Sequence, residues 1–485
     1  MEIGSFLFYD LETSGLSKSF DQVLQFAAIR TDPALNPVER MEIRFQLRPD
    51  VIPSPFATIT HRIDIKTGLA EGVTELEGIR RIHDAMNQPG TISLGYNTLG
   101  FDDTFLRFSF HRNLLTPYTH QYASGCGRMD LLPVTALYRF QASDGLNWPV
   151  DADGKGSLKL EDLNVANRLF SGRSHDAMVD VEITLALARK LRENRAVWEY
   201  MLGYFDKKTD KARVDKQLPV HWETAAGMHP LGVAVAPTFG FEQGYRTPVL
   251  GIGTSRAYKN QTLWLRLDTD VLQETSPESV PDTTRVIRKR FGEPPILLPP
   301  YDRYWSKLNP QQTARCTANL DWLKTHADVF YDIVSYYREF RYPEIPNLDP
   351  DAALYQNGFL SKEEDQLNRQ FHKSTTEEKL ALLSRYPRPY TRELATRALF
   401  RNDKGLAEGV LADAYTAYMK RVNPDEATDP LVDYRGDHRR TPATAMDEID
   451  AVLASDDVAL DDEQMRLLEE LSDYVQERFS EPTAG

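Results

Sequence analysis

Apolar residues in the first fifty positions fall into three short runs separated by residues that favour turns. The runs at residues 5–10, 23–31 and 41–47 are rich in Phe, Ile, Val and Leu, and Gly, Ser, Asp and Pro lie between them. Short apolar runs bounded in this way are typical of strands joined by tight connections. The pattern predicts three strands of an antiparallel meander.

After these runs the pattern alternates between strand and helix. It predicts a short strand at residues 91–95, a helix at about 102–112 and another after Asp130. The clearest helix covers 177–192, because apolar residues recur there at helical spacing in a broad stripe. Together these elements predict an α/β domain at residues 1–200.

Two further domains are predicted in the rest of the chain. Residues 201–350 are rich in Pro and Gly with short β-type runs, which indicates a mainly β module closed by helices. Residues 351–485 have a helical pattern that starts at the capping-box sequence Ser361-Lys362-Glu363-Glu364, and their last amphipathic stripe is expected to pack against the rest of the domain. The β-type runs lie at 262–267 and 285–287, and the closing helices at 311–326 and 327–340.

The composition is that of a soluble globular protein, with 41% hydrophobic and 27% charged residues. Cys126 and Cys316 are far apart and outside any metal-ligand spacing, so neither a zinc site nor a disulfide framework is indicated. The sequence has no basic, apolar leader at its start and no stretch of about 18 apolar residues. We expect a cytoplasmic protein without a membrane anchor.

The net charge of −15 weighs against a nucleic-acid partner until its distribution is considered. Residues 441–485 contain thirteen acidic residues and two arginines, so most of the acidity belongs to the C-terminal end. Elsewhere basic residues cluster at 285–290 and 385–404. These clusters are candidates for a channel that follows a phosphate chain, with the acidic tail facing away from it.

The first candidate for chemistry is Asp10-Leu11-Glu12, at the end of an apolar strand. In an extended strand, residues i and i+2 point to the same side, so the Asp10 and Glu12 carboxylates project together. Two adjacent carboxylates repel each other, and a hard divalent cation with oxygen ligands compensates for this. The pair alone is weak evidence, since solvated strand ends often carry acids.

Two more candidates follow further along the chain. Asp102 and Asp103 come after a turn that contains Asn97, and either acid could simply cap the helix that starts there. His175 lies at the mouth of the clearest helix and Asp180 about one turn into it, with Ser174 or Asp176 as the helix N-cap.

In this order the three elements resemble the DEDDh exonuclease superfamily, which has an RNase H-like fold. The joint pattern is Asp-x-Glu, then Asn-x-x-x-Phe-Asp, then His-x-x-x-x-Asp. Other strings resemble the bacterial exonuclease I family, densely up to residue 195 and in the same order afterwards. They include Leu94-Gly95-Tyr96-Asn97, Arg128-Met129-Asp130-Leu131-Leu132, Asn147-Trp148-Pro149 and Leu354-Tyr355-Gln356-Asn357-Gly358-Phe359. The resemblance implies an α/β, RNase H-like exonuclease domain, then an SH3-like mainly β domain and a C-terminal helical domain.

The resemblance also implies roles for the five motif residues. Asp10, Glu12 and Asp180 would ligate two Mg²⁺ ions, with Mn²⁺ as an alternative, Asp102 would complete the acidic cluster, and His175 would be the general base. These roles suit phosphodiester hydrolysis, because two ions stabilise the attacking and leaving oxygens. A histidine with an ordinary pKa of about 6.5 can accept a proton from water at neutral pH.

Substrate contacts carry over from the same resemblance. Exposed bases of a single strand stack on aromatic rings while cations follow the phosphates, which fits the residue types involved. For each tyrosine, packing in the core remains an equally good interpretation. The implied substrate-binding residues are Glu12, Arg107, Tyr118, Tyr122, Leu158 and Lys159.

The sequence departs from the family pattern at two positions. Ala136 replaces an arginine that contacts DNA in the family, and Ala142 replaces an arginine of the basic patch that receives the C-terminal tail of single-stranded-DNA-binding protein. The resemblance therefore implies single-stranded DNA as partner, and that protein tail only if the patch is retained. It also implies a monomer.

Three functions remain open at this point. The first is a 3′→5′ exonuclease that degrades single-stranded DNA to 5′-mononucleotides, in DNA repair and recombination by resemblance. The second is a 3′→5′ exoribonuclease, because RNA-trimming relatives share the catalytic residues and differ in contacts to the 2′-OH. The third, a non-catalytic single-strand-binding protein, is disfavoured because all five motif residues are present.

Overall fold

The computed structural model describes residues 3–66, 71–141, 143–150, 153–172, 176–425, 428–455 and 459–479. Its first sheet contains β1 (Ser5–Thr13), β2 (Val23–Thr31), β3 (Pro37–Arg44), β4 (Thr91–Gly95) and β5 (Gly127–Asp130), in the order β3-β2-β1-β4-β5. The first three strands form the predicted antiparallel meander, and β4 and β5 run parallel to β1. The strands predicted at 23–31 and 91–95 are confirmed at those bounds.

The prediction for the third strand was wrong, because β3 occupies Pro37–Arg44 rather than 41–47. Asp32 Oδ1 accepts the backbone N–H groups of Ala34 (2.8 Å) and Asn36 (2.9 Å), which closes a turn so that pairing starts at Pro37. β3 is an edge strand whose side chains are mostly exposed and charged. The apolar run at 41–47 therefore overlaps only the C-terminal part of β3.

Helices surround this first-sheet region. They are α1 (Pro55–His61), α2 (Glu75–Met86), α3 (Asp102–Arg112), α4 (Leu131–Gln141), α5 (Leu160–Asn167) and α6 (Ala177–Glu193). The helices predicted at 102–112, after Asp130 and at 177–192 are therefore confirmed.

Strand β1 is buried on both faces, and its alternation decides where the acids lie. Phe6 and Phe8 pack in the cluster that contains Val181 and Leu185 of α6, whereas Leu7 packs with residues of α2 and α3. Positions 10 and 12 continue the series of Phe6 and Phe8. The strand thus delivers two carboxylates to the side of the sheet covered by α6.

The second-sheet region follows and combines an antiparallel sheet with helices, so it is less purely β than predicted. Its sheet has the order β10-β9-β8-β7-β11, with β6 paired to β7, and all its pairings are antiparallel. The strands are β6 (Val220–Thr224), β7 (Gly227–Val235), β8 (Arg246–Thr254), β9 (Thr262–Arg266), β10 (Val286–Lys289) and β11 (Ile296–Leu298). The helices are α7 (Arg195–Leu202), α8 (Lys207–Gln217), α9 (Val280–Thr283), α10 (Asp302–Trp305), α11 (Pro310–Thr325) and α12 (Ala327–Glu339).

The helical region completes the chain. Its first helix starts with the predicted capping box, in which Glu364 N–H donates to Ser361 Oγ (3.2 Å) and Ser361 N–H donates to Glu364 Oε2 (2.9 Å). Leu471 and Val475 of the last helix are buried in a core that contains Phe400 and Tyr418 of the helical region, as predicted, and also Phe20 of the first-sheet region. The helices are α13 (Lys362–Phe371), α14 (Thr376–Leu382), α15 (Pro389–Asn402), α16 (Lys404–Glu408), α17 (Ala412–Val422), α18 (Pro442–Leu453) and α19 (Asp462–Phe479).

Cores cross the junctions between the three regions. Trp198 and Met201 of α7 pack in the cluster that also contains Phe8 of the first sheet and Val233 of the second. A division after residue 200 falls inside α7, and the domain boundaries at 200 and 350 stay predictions. Across the described ranges, no helix combines the length and apolar character needed to cross a membrane.

Candidate active site

Three carboxylates meet where the C-terminal end of β1 approaches the first turn of α6. One carboxylate oxygen from each of Asp10, Glu12 and Asp180 lies within 4.8 Å of the others. Asp10 and Glu12 are partly buried on the α6 side of β1, and Asp180 lies in the first turn of the helix. Asp176 caps this helix through Oδ1, which accepts the N–H groups of Met178 (3.0 Å) and Val179 (3.4 Å).

Burial and mutual repulsion disfavour the charged forms of Asp10 and Glu12. Burial raises the pKa of the Asp10 carboxyl well above its ordinary range, and the charges of Asp102, Glu12 and Asp180 raise it further. Burial also raises the pKa of Glu12 to about 9, with further contributions from Asp180 and Asp102. Carboxylates that repel each other in a buried site favour either protons or a cation.

The charge of Asp102 acts on Asp10 and Glu12, and the residue lies in the first turn of α3 and not at its N-cap. Phe101 occupies the N-cap position of α3 without a side-chain cap. Burial raises the pKa of Asp102 to about 8, despite opposing backbone hydrogen bonds, and the charges of Asp130 and Asp103 add to the rise. Asp102 is 6% exposed.

Asp130 shapes the turn before Asp102 and was not identified as functional from the sequence. Its two carboxylate oxygens accept the N–H groups of Asn97 (2.9 Å) and Leu99 (3.0 Å), and Oδ1 also accepts that of Leu132 (2.9 Å). These bonds hold the turn that leads from β4 into α3. The only sequence feature that points to Asp130 is the string Arg128-Met129-Asp130-Leu131-Leu132, which resembles the exonuclease I family.

Asp103 differs from Asp102 because cations surround it. It pairs with Arg107 (Nη2 to Oδ2, 2.9 Å), with Arg128, and with His120 (Nε2 to Oδ1, 2.9 Å). Burial raises the pKa of Asp103, but Arg128 and Arg107 outweigh it and hold that pKa well below its ordinary range. Arg107 is thus 7% exposed and partly committed to an internal partner.

Aromatic side chains lie beside Arg107. Its guanidinium carbon is 6.0 Å from the ring centroid of Tyr118, and that ring is 6.4 Å from Phe359 of the helical region. Phe359 is 86% exposed and Tyr355 is 47% exposed. The string at residues 354–359 resembles the exonuclease I family and contains both Tyr355 and Phe359, but the sequence alone did not identify either ring as a substrate contact.

The other predicted contact residues are more scattered. Tyr122 is 70% exposed, and Lys159 is exposed at the N-cap of α5. Leu158 is 7% exposed in the core of the first-sheet region, as is Ala136 at 1%. His175 and Ala142 lie outside the described residues.

The two basic clusters differ in how their charges are used. In the series 385–404, Arg397 and Arg401 are buried against Asp349 and Asp351, and Arg388 pairs with Glu364. In the series 285–290, Lys289 is buried against Asp210. Arg288 lies over the Phe340 ring at 4.6 Å, and exposed Arg290 is close enough to act on the pKa values of Tyr118 and Tyr355. The cluster at 285–290 is therefore the better candidate for a channel.

The cluster of Asp10, Glu12 and Asp180 fits a divalent metal ion. Its donors are all carboxylate oxygens, which are the ligands that hard divalent cations prefer. A cation also removes the repulsion that raises the pKa values of Asp10 and Glu12. Asp10, Glu12 and Asp180 would hold the ion, with Asp102 beside them.

Comparison with known proteins agrees with this site. A family model described as Exonuclease matches residues 7–188, which contain all four carboxylates. The chain therefore carries a nuclease domain of the exonuclease class. Exodeoxyribonuclease I of Escherichia coli K12 is 32% identical over 381 residues, covering 74% of this chain and 77% of the relative. The chain belongs to the exodeoxyribonuclease I family.

Solved structures support the same assignment over nearly the whole length. E. coli exonuclease I in complex with a dA16 oligonucleotide has a TM-score of 0.81 and 26% identity, covering 98% of this chain and 100% of that one. A structure of SSB/exonuclease I with the inhibitor CFAM has a TM-score of 0.80 and 24% identity, with the same coverage, and shows a shared fold. The predicted α/β fold with additional domains is confirmed.

Proposed function

We propose that this protein is a 3′→5′ exonuclease that hydrolyses single-stranded DNA to 5′-mononucleotides. The proposal rests on the cluster of Asp10, Glu12 and Asp180, on which the charge of Asp102 also acts, in a chain of the exodeoxyribonuclease I family. The relative solved with a dA16 oligonucleotide superposes on 98% of the chain at 26% identity. By resemblance, the pathway is DNA repair and recombination.

Two Mg²⁺ ions, with Mn²⁺ as a substitute, are the cofactor that best fits the donor set. When bound, such ions stabilise the attacking and leaving oxygens of an in-line displacement. Asp10, Glu12 and Asp180 supply ligands, and Asp102 adds negative charge beside them. Because protonated carboxyls are poor ligands, the raised pKa of Glu12 makes metal binding stronger as pH rises towards about 9.

His175 is the proposed general base. It immediately precedes Asp176, whose carboxylate caps α6, and it is five positions before Asp180. A neutral imidazole accepts the proton of the attacking water, and a nearby acidic cluster favours the imidazolium that results. Arg107 is proposed to bind the substrate strand and not to act as the base, since its guanidinium group stays protonated.

The substrate strand is proposed to run over the surface formed by Tyr118, Phe359 and Tyr355, past Arg107 and Arg290. The exposed rings offer stacking faces for successive bases, at roughly 1–3 kcal/mol each, and the cations attract the phosphates. Glu12, Tyr122 and Lys159 remain proposed contacts. Buried Leu158 would contribute by supporting this surface from below.

The test uses 5′-end-labelled DNA and RNA strands of equal sequence, each with Mg²⁺ and with EDTA. We expect the DNA to shorten from its 3′ end to mononucleotides in Mg²⁺ and to stay intact in EDTA. Faster hydrolysis of RNA would favour the exoribonuclease alternative. Binding without hydrolysis would favour a non-catalytic protein.

We also propose that the protein is a cytoplasmic monomer that binds the acidic C-terminal tail of single-stranded-DNA-binding protein. The surface that supports this contact lies where α4 and α7 meet the second-sheet region. There, cations rest on aromatic faces, which suits a peptide that is both acidic and apolar. The contacts are Arg213 on Tyr200 (4.1 Å), Arg246 on Phe140 (4.7 Å), Lys307 on Phe140 (5.0 Å), Arg303 on Tyr304 (4.7 Å) and Arg139 on Trp148 (5.3 Å).

A tail peptide with a fluorescent label tests this partner. We expect saturable binding that weakens with salt and falls strongly in Arg246→Ala, because one charge-assisted contact is lost. Arg369→Ala is the control, since Arg369 is exposed and pairs with Asp365 on α13. Equal affinity for the two variants would argue against this surface.

A further inference from the structure

Residues 432–438 of the helical region form a tight hairpin. Val432 and His438 make an antiparallel bridge, and Asp433 Oδ1 accepts the N–H groups of Arg435 (2.7 Å) and Asp437 (3.1 Å). Gly436 completes the turn at φ 91°, a conformation that favours glycine. These bonds fix the backbone on both sides of Arg435, so its exposed side chain starts from a defined position.

Tyr434 anchors this hairpin to the active-site helix. Its ring centroid is 5.0 Å from that of Phe108 on α3 and 5.6 Å from that of Tyr355. Because α3 starts with Asp102, the contact ties the hairpin to the helix that carries an active-site acid. The Arg435 guanidinium carbon lies 5.3 Å from the Tyr434 centroid.

Lys18 approaches from the loop between β1 and β2. Asp21 holds this loop, since its carboxylate oxygens accept the N–H of Ser17 (2.8 Å) and the hydroxyl of Ser14 (3.1 Å). Lys18 Nζ lies 4.8 Å from the centroid of Phe101, the residue just before Asp102. A lysine is therefore held at the entrance to the acidic cluster.

Lys18 and Arg435 lie beside the same helix despite carrying like charges, because Lys18 sits over Phe101, which precedes α3, and Arg435 sits over Tyr434, which packs on Phe108 of α3. Burial lowers the pKa of Lys18, the charge of Arg435 lowers it further, and Asp102 and Asp433 oppose this. The Asp433 carboxylate is itself occupied by backbone N–H groups. A cavity of about 770 Å³ opens beside the loop and is lined by Glu12, Ser17, Phe101 and Arg440, among others.

The acidic cluster creates a problem that such cations solve. Asp10, Glu12, Asp102 and Asp180 repel the phosphates of an approaching strand, and positive charge at the entrance reduces that cost. Two cations seated on aromatic rings are also partly positioned before the strand arrives.

We propose that Lys18 and Arg435 together bind a backbone phosphate of the substrate strand close to the scissile bond. The inference rests on the proposed function and adds two positioning residues to it. The loop of the first-sheet region and the hairpin of the helical region then hold the same strand, which couples the helical region to cleavage.

The experiment compares Lys18→Ala, Arg435→Ala and the double variant with two control variants. Lys216→Ala and Arg369→Ala remove exposed cations from α8 and α13, and neither residue lines the cavity beside the loop. KM and kcat are measured on a single strand of about twenty nucleotides in Mg²⁺. Affinity for the same strand is measured against salt in EDTA, where binding is separated from hydrolysis.

We expect each cleft variant to raise KM about tenfold with kcat little changed, because a charge-assisted phosphate contact is lost in binding. The slope of log affinity against log salt should fall by about 0.7 in the double variant, which is the contribution of one neutralised phosphate on a single strand. The double variant should lose less than the product of the two single losses, since both cations share one phosphate. Lys18→Arg should keep most of the affinity.

The inference is overturned if the salt slope stays at the wild-type value, or if the losses match those of the control variants. It is also overturned if kcat falls with KM unchanged, because that would mean that Lys18 merely supports Asp102. Failure of the wild type to hydrolyse DNA in Mg²⁺ would refute the proposed function instead, and the binding series in EDTA would still decide the role of the two cations.

Discussion

Two sets of four carboxylates lie inside this molecule, and they are in opposite electrostatic states. The first is the cluster of Asp10, Glu12, Asp102 and Asp180. The second lies at the junction of the first-sheet and helical regions, where each acid is at most 2% exposed. It consists of Asp50, Glu75, Asp349 and Asp351.

Arginines account for the difference. At the junction, Glu75 Oε1 binds Arg48 Nη1 and Arg112 Nη2, both at 2.8 Å, and Arg397 Nη1 binds Asp349 (2.6 Å) and Asp351 (3.0 Å). Burial raises the pKa of Glu75, but Arg112 and Arg48 outweigh it and bring that pKa to about 2. In the first cluster, burial and mutual repulsion raise the pKa of Glu12 to about 9.

The contrast shows how to separate a structural acid from a functional one. Burial alone does not distinguish them, since it raises the pKa values of both Glu12 and Glu75. An acid whose charge the chain itself neutralises holds the fold together, whereas a set left to repel itself is prepared for an external cation. Substitutions in the first set should therefore affect catalysis and metal binding, whereas substitutions in the junction set should affect stability.

The largest expected effect is on catalysis. Asp180→Asn or Asp10→Ala should abolish hydrolysis in Mg²⁺ while the fold survives, because each removes a ligand from an overcharged site. Hydrolysis rates and circular dichroism of the same preparations check this. Glu182→Gln is the matched control on the same helix, since Glu182 pairs with Arg40 instead. Near-normal activity in Asp180→Asn would refute the assignment of the site.

His175→Ala should lower turnover by about 10²–10⁴-fold, the usual consequence of losing a general base. Its DNA affinity should change far less, because the side chain acts on water. Single-turnover rates and binding in EDTA separate the two effects. An equal loss of affinity and turnover would make His175 a positioning residue.

Removing a junction acid should cost stability instead of chemistry. Asp351→Asn leaves the buried guanidinium groups of Arg397 and Arg401 short of a partner, which should cost roughly 3–5 kcal/mol in the free energy of unfolding. Urea unfolding measures this, and activity per folded molecule should persist. Asp365→Asn breaks an exposed pair with Arg369 and should change little.

The smallest expected effect has the opposite sign. In EDTA at pH 8, Glu12→Gln should raise the thermal midpoint by a few degrees, because ionisation of Glu12 in the unfolded chain favours unfolding when its folded pKa is about 9. The gain should shrink as pH falls and vanish below about 4.5, the ordinary pKa of Glu12, where the group is protonated in both states. A gain that is independent of pH would show that packing, not charge, is responsible.

Sequence alone predicted the local part of this site. The i, i+2 spacing places Asp10 and Glu12 on one side of β1, and the apolar stripe of α6 places Asp180 one turn inside that helix. That these acids meet came from the resemblance, because spacing within each segment does not encode contacts between segments.

Other features required the fold. Arg397 and Arg401 belong to a basic run that predicts a solvated or DNA-binding surface, yet the structure buries them against acids more than forty positions away. Likewise, Lys18 and Arg435 lie beside the same helix, α3, only when the helical region packs on the first-sheet region. The strand β3 was misplaced because exposed edge strands carry little apolar signal.

Calorimetry tests whether the cluster of Asp10, Glu12 and Asp180 binds a divalent cation. Titrating Mn²⁺ into the protein at pH 8, in two buffers of different ionisation enthalpy, should show saturable binding with release of protons from the first cluster. Asp180→Asn should lose this binding, and Asp351→Asn should keep it. Absence of binding to the wild type, or equal binding by Asp180→Asn, would contradict the account.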